Sequence, residues 1–268
     1  MLVKYFNNKG KIFMKNEINF KIASFNISGG FYIGNEDVEY LDRNAVDSVD
    51  NKLMEQIIDI INSEKFDIIC FQEIITTESI KYIKTIADNT DLKFYDFYEL
   101  SECNIVKNTN CGLAMLSKYP INCIKKELFP NPHLSKTTSS GNTYYTYDKG
   151  YMIVEIEKQD KKLRILTHHG FPYRRFNSCP ENNKQVFDFF DNIIEEYSPD
   201  IITGDFNAEN FMSLMQKTSK KYKRTINSIT TVDGKMFDDI LILNKTNYKS
   251  KIVKLLSDHF IIIDVINC

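Results

Sequence analysis

The sequence predicts a single α/β domain. Two observations carry this: short apolar runs recur along the whole chain, and a few longer stretches repeat apolar residues at helical spacing. A third observation agrees: no internal repeat and no linker rich in Pro, Gly or Ser divides the chain. At 268 residues the chain is long for an average domain, but it fits one large two-layer α/β or all-β unit. Hydrophobic residues make up 43%, enough for a large core, and 26% charged residues are ordinary for a globular protein.

The strands are read first. Residues Ile18 to Phe25, Phe66 to Phe71, Gly112 to Leu116 and Tyr151 to Ile156 are short, rich in Ile, Val and Phe, and bounded by polar residues or Gly. Leu163 to Thr167, Asp200 to Thr203, Asp239 to Leu243 and Phe260 to Val265 have the same character. Helices come next. From Asn44 to Glu64, Val46, Val49, Leu53, Ile57 and Ile60 recur at three-to-four spacing. Ile80, Ile83 and Ala87 do so within Glu78 to Ala87, and Val186, Phe190, Ile193 and Tyr197 within Glu181 to Tyr197, where Pro199 ends the helix. A shorter helix is expected over Glu209 to Lys217. Phe129 to Lys149, rich in Pro, Thr, Ser, Gly and Tyr, reads as one long loop of the kind that carries function or moves. Residues 1–17 are expected to form an N-terminal tail and residues 18–268 the domain.

Composition narrows the function. A net charge of -2 gives no global basic excess, so affinity for nucleic acid has to be local to a groove. The six cysteines, Cys70, Cys103, Cys111, Cys123, Cys179 and Cys268, form no C-x-x-C pair, which argues against a zinc site, and because a chain of this size does not need disulfides a reducing compartment is expected. Cys70 and Cys111 read as small core residues. The first twenty residues lack a continuous apolar segment and a small-residue cleavage site, and no apolar run reaches membrane-spanning length. A cytoplasmic location without stable membrane association is expected.

The informative polar residues stand at strand ends. Asn26 follows one strand, Gln72 and Glu73 the next, then His168 and His169, then Asp205 and Asn207, while Asp258 and His259 precede the last. Strand ends are where a rigid scaffold presents reactive groups. Singly, each has a structural reading: Asn as a turn residue, Glu as a solvated side chain, Gly-Asp-x-Asn as a turn, Ser-Asp as a cap. Five such strings, each against an apolar strand, call for a joint explanation.

Together the strings resemble the endonuclease/exonuclease/phosphatase family. They are Ala23-Ser24-Phe25-Asn26, Phe71-Gln72-Glu73, Gly112 to Pro120 (GLAMLSKYP), Thr167-His168-His169, Gly204-Asp205-Phe206-Asn207, Phe237-Asp238-Asp239-Ile240 and Ser257-Asp258-His259. They occur in the family's order over nearly the whole chain. The resemblance implies a four-layer α/β sandwich: two mixed β-sheets packed face to face, helices outside, and the active site at one edge of the sheets.

It also implies a metal-dependent phosphoesterase using Mg2+, with Mn2+ as a substitute. Glu73 is then the chief metal ligand, Asn26 completes or orients the cluster, and Asp258 approaches from the opposite side. Asp205 orients or deprotonates the attacking water, Asn207 holds Asp205 or a phosphate oxygen, and His259 contacts the phosphate with Asp238 orienting it. The resemblance leaves two choices open. Aligning Thr167 with the family Asn puts His169 on the phosphate, the preferred reading, and aligning it with the family Thr puts His168 there. Asp239 stands where many members carry an aromatic, so either Asp238 or Asp239 could serve His259. Ser28 replaces an acid found in some family nucleases.

Nucleic acid is the expected substrate, cut internally or from an end. Tyr173, Arg174 and Arg175 suit phosphates and bases, the run Lys217 to Arg224 (KTSKKYKR) could grip a polyanion or be a solvated face, and Thr143 to Tyr147 could form a stacking lip. A phospholipid or phosphoinositide is the alternative substrate, and an inactive binding module on the same fold is the alternative from another class.

Overall fold

The computed structural model describes residues 2–6, 12–16, 18–30, 51–77, 81–103 and 106–267. The strands β1 (Leu2–Phe6) and β2 (Ile12–Asn16) pair as an antiparallel ribbon in the stretch expected to be a tail. Then follow β3 (Asn19–Asn26), α1 (Asn51–Glu64), β4 (Ile68–Ile75), α2 (Tyr82–Asn89), β5 (Phe94–Glu102), β6 (Asn110–Ser117) and β7 (Ile121–Leu128). A small hairpin comes next, β8 (Ser135–Thr137) and β9 (Thr143–Tyr145), within the segment read as one loop. The chain continues through β10 (Gly150–Lys158), β11 (Lys161–His169), α3 (Lys184–Tyr197), β12 (Ile201–Asp205), α4 (Phe211–Leu214) and α5 (Thr218–Lys221). It ends with β13 (Tyr222–Arg224), β14 (Asp238–Leu243), β15 (Asn247–Val253) and β16 (Ile261–Asn267). The expected helical positions Val46, Val49 and Ile80 lie outside the described residues.

Two six-stranded sheets carry the domain, in the orders β15-β16-β3-β4-β6-β5 and β13-β14-β12-β11-β10-β7. Both are mixed, and in both the central pair is parallel: β3 with β4, and β11 with β12. Parallel neighbours need a crossover, which α1 supplies to the first pair and α3 to the second. The helices therefore lie on the outer faces, giving the four layers expected.

The central strands bury both faces, so their side chains split between two cores. Ala23 and Phe25 of β3 pack outward with Leu53 and Ile57 of α1, while Phe20 and Ile22 turn toward the second sheet. Leu241 of β14 and Ile202 of β12 pack outward with Phe187, Phe190 and Ile194 of α3, while Ile240, Ile242 and Ile201 face the first sheet. This is why these strands read as continuous apolar runs. Each fully buried side chain of this kind contributes roughly 1.5–3 kcal/mol of transfer free energy. Among the described residues, no helix is long and apolar enough to cross a membrane.

One acid sits in this apolar setting. Asp264 of β16 is 0% exposed, and the Ser250 and Thr225 hydroxyls beside it only partly offset its burial. Burial pushes its carboxyl up from 3.8 to about 6. The folded state thus holds this proton more tightly than the unfolded chain does, and the stability it confers is full below about pH 4 and is lost as pH rises through 6. Asp264→Asn removes the titration. The melting temperature of the variant relative to the parent is expected to climb by several degrees between pH 4 and pH 8, corresponding to about 1–3 kcal/mol. A constant offset across that range, read by calorimetry, would sink this account.

Candidate active site

The two parallel pairs end at the same edge of the sandwich, and their last residues build the site. In one sheet Asn26 pairs with Gln72 across β3 and β4; in the other His169 pairs with Asp205 across β11 and β12. A hydrogen bond between the sheets joins these ends: Asn26 Nδ2 donates to Asp205 Oδ2 at 3.0 Å. Both residues are 1% exposed.

Asp205 is held by three donors. Besides Asn26, the Asn207 backbone N–H donates to Oδ1 at 2.7 Å and its side-chain Nδ2 to Oδ2 at 3.1 Å. Asn207 takes a left-handed φ of 50°, which Asn tolerates, and its Nδ2 also reaches the Gly170 carbonyl at 3.1 Å. Burial, and then the nearby Asp238 carboxylate, push the Asp205 carboxyl up to about 7. Gly204 precedes it at φ 151°, and a Cβ there would sit 2.1 Å from the His168 carbonyl oxygen. The glycine lets β12 lie this close to β11.

Glu73 is placed by a break in β4. The ladder to β6 shifts register between Phe71 and Ile74, and Glu73 adopts φ 52° within the break. A non-glycine residue in this region costs of order 1–3 kcal/mol, and such strain concentrates at functional sites. The bulge turns the carboxylate toward the sheet edge, where Glu73 Oε1 lies 3.3 Å from His169 Nε2. His169 Nε2 is also 3.7 Å from Asp205 Oδ2.

The adjacent histidines take opposite sides of β11. His168 is 1% exposed, its ring nitrogens have no partner, and its ring packs 4.2 Å from Phe206 and 4.6 Å from Phe190 by centroid. Burial lowers its pKa to about 3, so it is a neutral core aromatic. His169 faces the carboxylates, yet it too is held neutral: burial first, then the Lys149 ammonium, keep it well below the usual imidazole range. Lys149 Nζ lies 3.1 Å from His169 Nδ1. An ammonium at Nδ1 needs the lone pair there, which leaves the proton on Nε2 toward Glu73.

His259 is the reverse case. Burial opposes its charge, but the carboxylates of Asp238, Asp258 and Asp205 outweigh burial and raise it well above the usual range. Its Nδ1 lies 2.8 Å from Asp238 Oδ2, and its Nε2 faces Asp205 Oδ2 at 3.9 Å. Asp239 points the other way and pairs with Arg224. The Asp258 turn is stitched to the Asn26 strand by two serines. Ser28 Oγ donates to Asp258 Oδ1, and Ser257 Oγ donates to the Asn26 carbonyl at 3.1 Å. Ser28, which stands where some family nucleases carry an acid, therefore holds one in place.

The edge thus gathers Asn26, Glu73, His169, Asp205, Asn207, Asp238, Asp258 and His259. Lys149 joins them and was not legible in the sequence, because it lies in the segment read as a structureless loop. Its signal was weak: a lone lysine ahead of a strand is an ordinary surface feature. Three of the five cations of the basic run have structural partners: Lys217 pairs with Glu195, Lys223 donates to the Asn244 carbonyl, and Arg224 pairs with Asp239. Beside Glu73 lies a cavity of about 30 Å³ lined by Lys149, Arg175, Tyr147 and Phe176 among others.

Four carboxylates, Glu73, Asp205, Asp238 and Asp258, meet here with the cationic side chains of His259, Lys149 and Arg175. The two buried carboxylates, Asp205 and Asp238, and the half-buried Glu73 and Asp258, together with the upward push on Asp205, fit a divalent cation bound through hard oxygen donors. Asp205, Asp238 and His259 also bring ligand-type atoms within 4.8 Å of one another. His259, however, is cationic and its Nδ1 is engaged by Asp238, so this triad suits proton handling better than ligation. Glu73, Asn26 and Asp258 offer further oxygen donors that could hold a metal.

A two-sheet sandwich with acids, amides and imidazoles converging at one edge defines a hydrolytic, metal-dependent phosphoesterase. The sequence pattern of the Endonuclease/Exonuclease/phosphatase family matches residues 23–249, and the chain belongs to that family. Solved structures with this fold include a D. rerio TDP2 complexed with a single-strand DNA product, at 16% identity and TM-score 0.58, covering 93% of this chain and 99% of that one. The human Nocturnin catalytic domain with bound sulfate matches at 16% and 0.59 over 92% and 93%. Sphingomyelinase C from Streptomyces griseocarneus matches at 12% and 0.58 over 92% and 99%. No curated protein matches by sequence.

The paired residues offer a direct comparison. His168→Phe is expected to fold normally and to keep phosphodiesterase activity within a few-fold, whereas His169→Ala loses at least about 100-fold. Likewise Asp238→Asn should lower the His259 pKa observed by NMR, and Asp239→Asn should leave it in place. Equal effects within either pair would refute the placement.

Proposed function

We propose that the chain hydrolyses phosphodiester bonds in nucleic acid, with Mg2+ held by Glu73, Asn26 and Asp258. The observation that carries the substrate is the cavity wall beside Glu73, where Lys149 and Arg175 meet the aromatic ring of Tyr147. Cations with an adjacent aromatic suit a phosphate flanked by a base. The β8–β9 hairpin adds Tyr145, 65% exposed, next to this wall in sequence. A neighbour of the same fold binds a single-strand DNA product.

In this reading Glu73, Asn26 and Asp258 would hold the metal, whose contribution when bound would be to neutralise phosphate charge and polarise the phosphate oxygens. Asp205, fixed by Asn207 and Asn26, takes a proton from the attacking water. Its environment suits that task, because a buried carboxyl near neutrality accepts a proton more readily than a solvated one. The His259 imidazolium, oriented by Asp238, donates hydrogen bonds to the phosphate and stabilises charge as it builds. Neutral His169, with Nε2–H toward the edge, adds a second donor.

A lipid phosphoester is the second reading. It rests on Phe94, Tyr95 and Phe97 of the edge strand β5, each more than a third exposed, and on a sphingomyelinase among the proteins of this fold.

The test is a panel of single- and double-stranded DNA, RNA, a phosphoinositide and sphingomyelin, each with Mg2+. EDTA and a Glu73→Ala, His259→Ala double variant serve as controls. Cleavage of a polynucleotide is expected, abolished by EDTA and reduced by about 1,000-fold or more in the variant. Cleavage confined to the lipids would move the second reading to first place. Binding of one member without any cleavage, unchanged by EDTA, would instead favour an inactive binding module.

A further inference from the structure

Cys103 and Cys111 stand outside the hydrolytic cluster, and the fold brings them together at its rim. Cys103 follows the end of β5, and Cys111 is the second residue of β6. Ser101 pairs with Cys111, and the Cys103 N–H donates to the Thr109 carbonyl at 2.8 Å. Side chains alternate along a strand, so Cys103 and Cys111 project from the same face as diagonal neighbours. A side-chain hydrogen bond links their thiols, and neither cysteine is in a disulfide. Cys111 also lines the cavity beside Glu73, and it pairs with Ile75 of the strand that carries Glu73.

We infer that Cys103 and Cys111 are a modification site, a dithiol in the wall of the active-site cavity that closes to a disulfide when it meets a peroxide. One thiol first gives its proton to solvent, and that minor thiolate attacks a peroxide oxygen; the O–O bond breaks, giving a sulfenic acid and, after the departing hydroxide takes up a proton, one water. The second sulfur attacks the sulfenic sulfur; the S–S bond forms, the S–O bond breaks, and the oxygen leaves as a second water. Two thiols and one hydrogen peroxide thus yield one disulfide and two waters.

Adjacency selects this pair. The hydrogen bond to Cys103, and then burial, hold the Cys111 thiol well above its ordinary range, so the attacking thiolate is a minor species and closure is slow at neutral pH and faster as pH rises. Cys70, by contrast, is 0% exposed within the core between the sheets. Closure would tie the edge strand β5 to β6 at the cavity. The site does not depend on which phosphoester is cut.

The experiment treats the purified full chain with hydrogen peroxide, blocks remaining thiols with N-ethylmaleimide and digests with trypsin. Cleavage after Lys93, Lys107 and Lys118 separates the two cysteines into peptides 94–107 and 108–118. The expected product is those two peptides joined by a disulfide, with an intact-mass loss of two hydrogens that dithiothreitol reverses. Cys103→Ser and Cys111→Ala chains, checked for folding by circular dichroism, should each lack it. Joining of either cysteine to a different one, separate oxidation of each, or blocking of both by the maleimide after peroxide would overturn the inference.

Discussion

The hydrogen bond from Asn26 to Asp205 is the contact on which the rest of the site depends. It joins the end of a strand in one sheet to the end of a strand in the other, at a place where both residues are almost fully buried. A buried amide and carboxylate left unpaired would each cost the full desolvation penalty, so the two sheet edges are held together by more than apolar packing. Glu73 stands one residue beyond the partner of Asn26, and His169 is the ladder partner of Asp205. The inter-sheet core of residues such as Met115, Met152, Val154 and Ile262 sets the spacing that lets this bond form.

Around that contact the protein sorts charge by environment rather than by residue type. Three histidines lie within or against the site, and each is in a different condition. His168 is a neutral aromatic among phenylalanines, His169 is held neutral by burial and then by the ammonium beside it, and His259 is cationic because the carboxylates around it outweigh its burial. The same logic separates the neighbours Asp238 and Asp239, one serving a histidine and the other an arginine. Two donors of different charge thereby face one edge, an arrangement suited to an anion whose charge moves during reaction.

Much of this was legible in the sequence, and the part that was not has a common cause. The eight strands read from apolar runs are the eight interior strands of the two sheets. The four missed strands that flank them, β5, β7, β13 and β15, are the four sheet edges. An edge strand buries little, so segments such as INCIKKEL and NYKSKIV carry no continuous apolar signal. At the site, residues announced by strand-end strings were placed together by the fold. Lys149 was not announced, because its role arises from the pairing of β10 with β11, which sets Gly150 opposite His169. The choice between adjacent histidines or adjacent aspartates is a question of which face a strand buries, and both faces here are apolar.

The strand order of the first sheet has a consequence for how the chain is made. Strand β3 lies between β4 and β16, and Ser24 of β3 pairs with Ile262 of β16. During synthesis β3 must therefore wait, one edge open, until more than two hundred further residues have left the ribosome. The turn that carries Asp258 and His259 arrives with that same final strand. A nascent chain thus keeps this edge open, and the site incomplete, until β16 has emerged, and over that interval the edge is free to pair with a neighbouring chain.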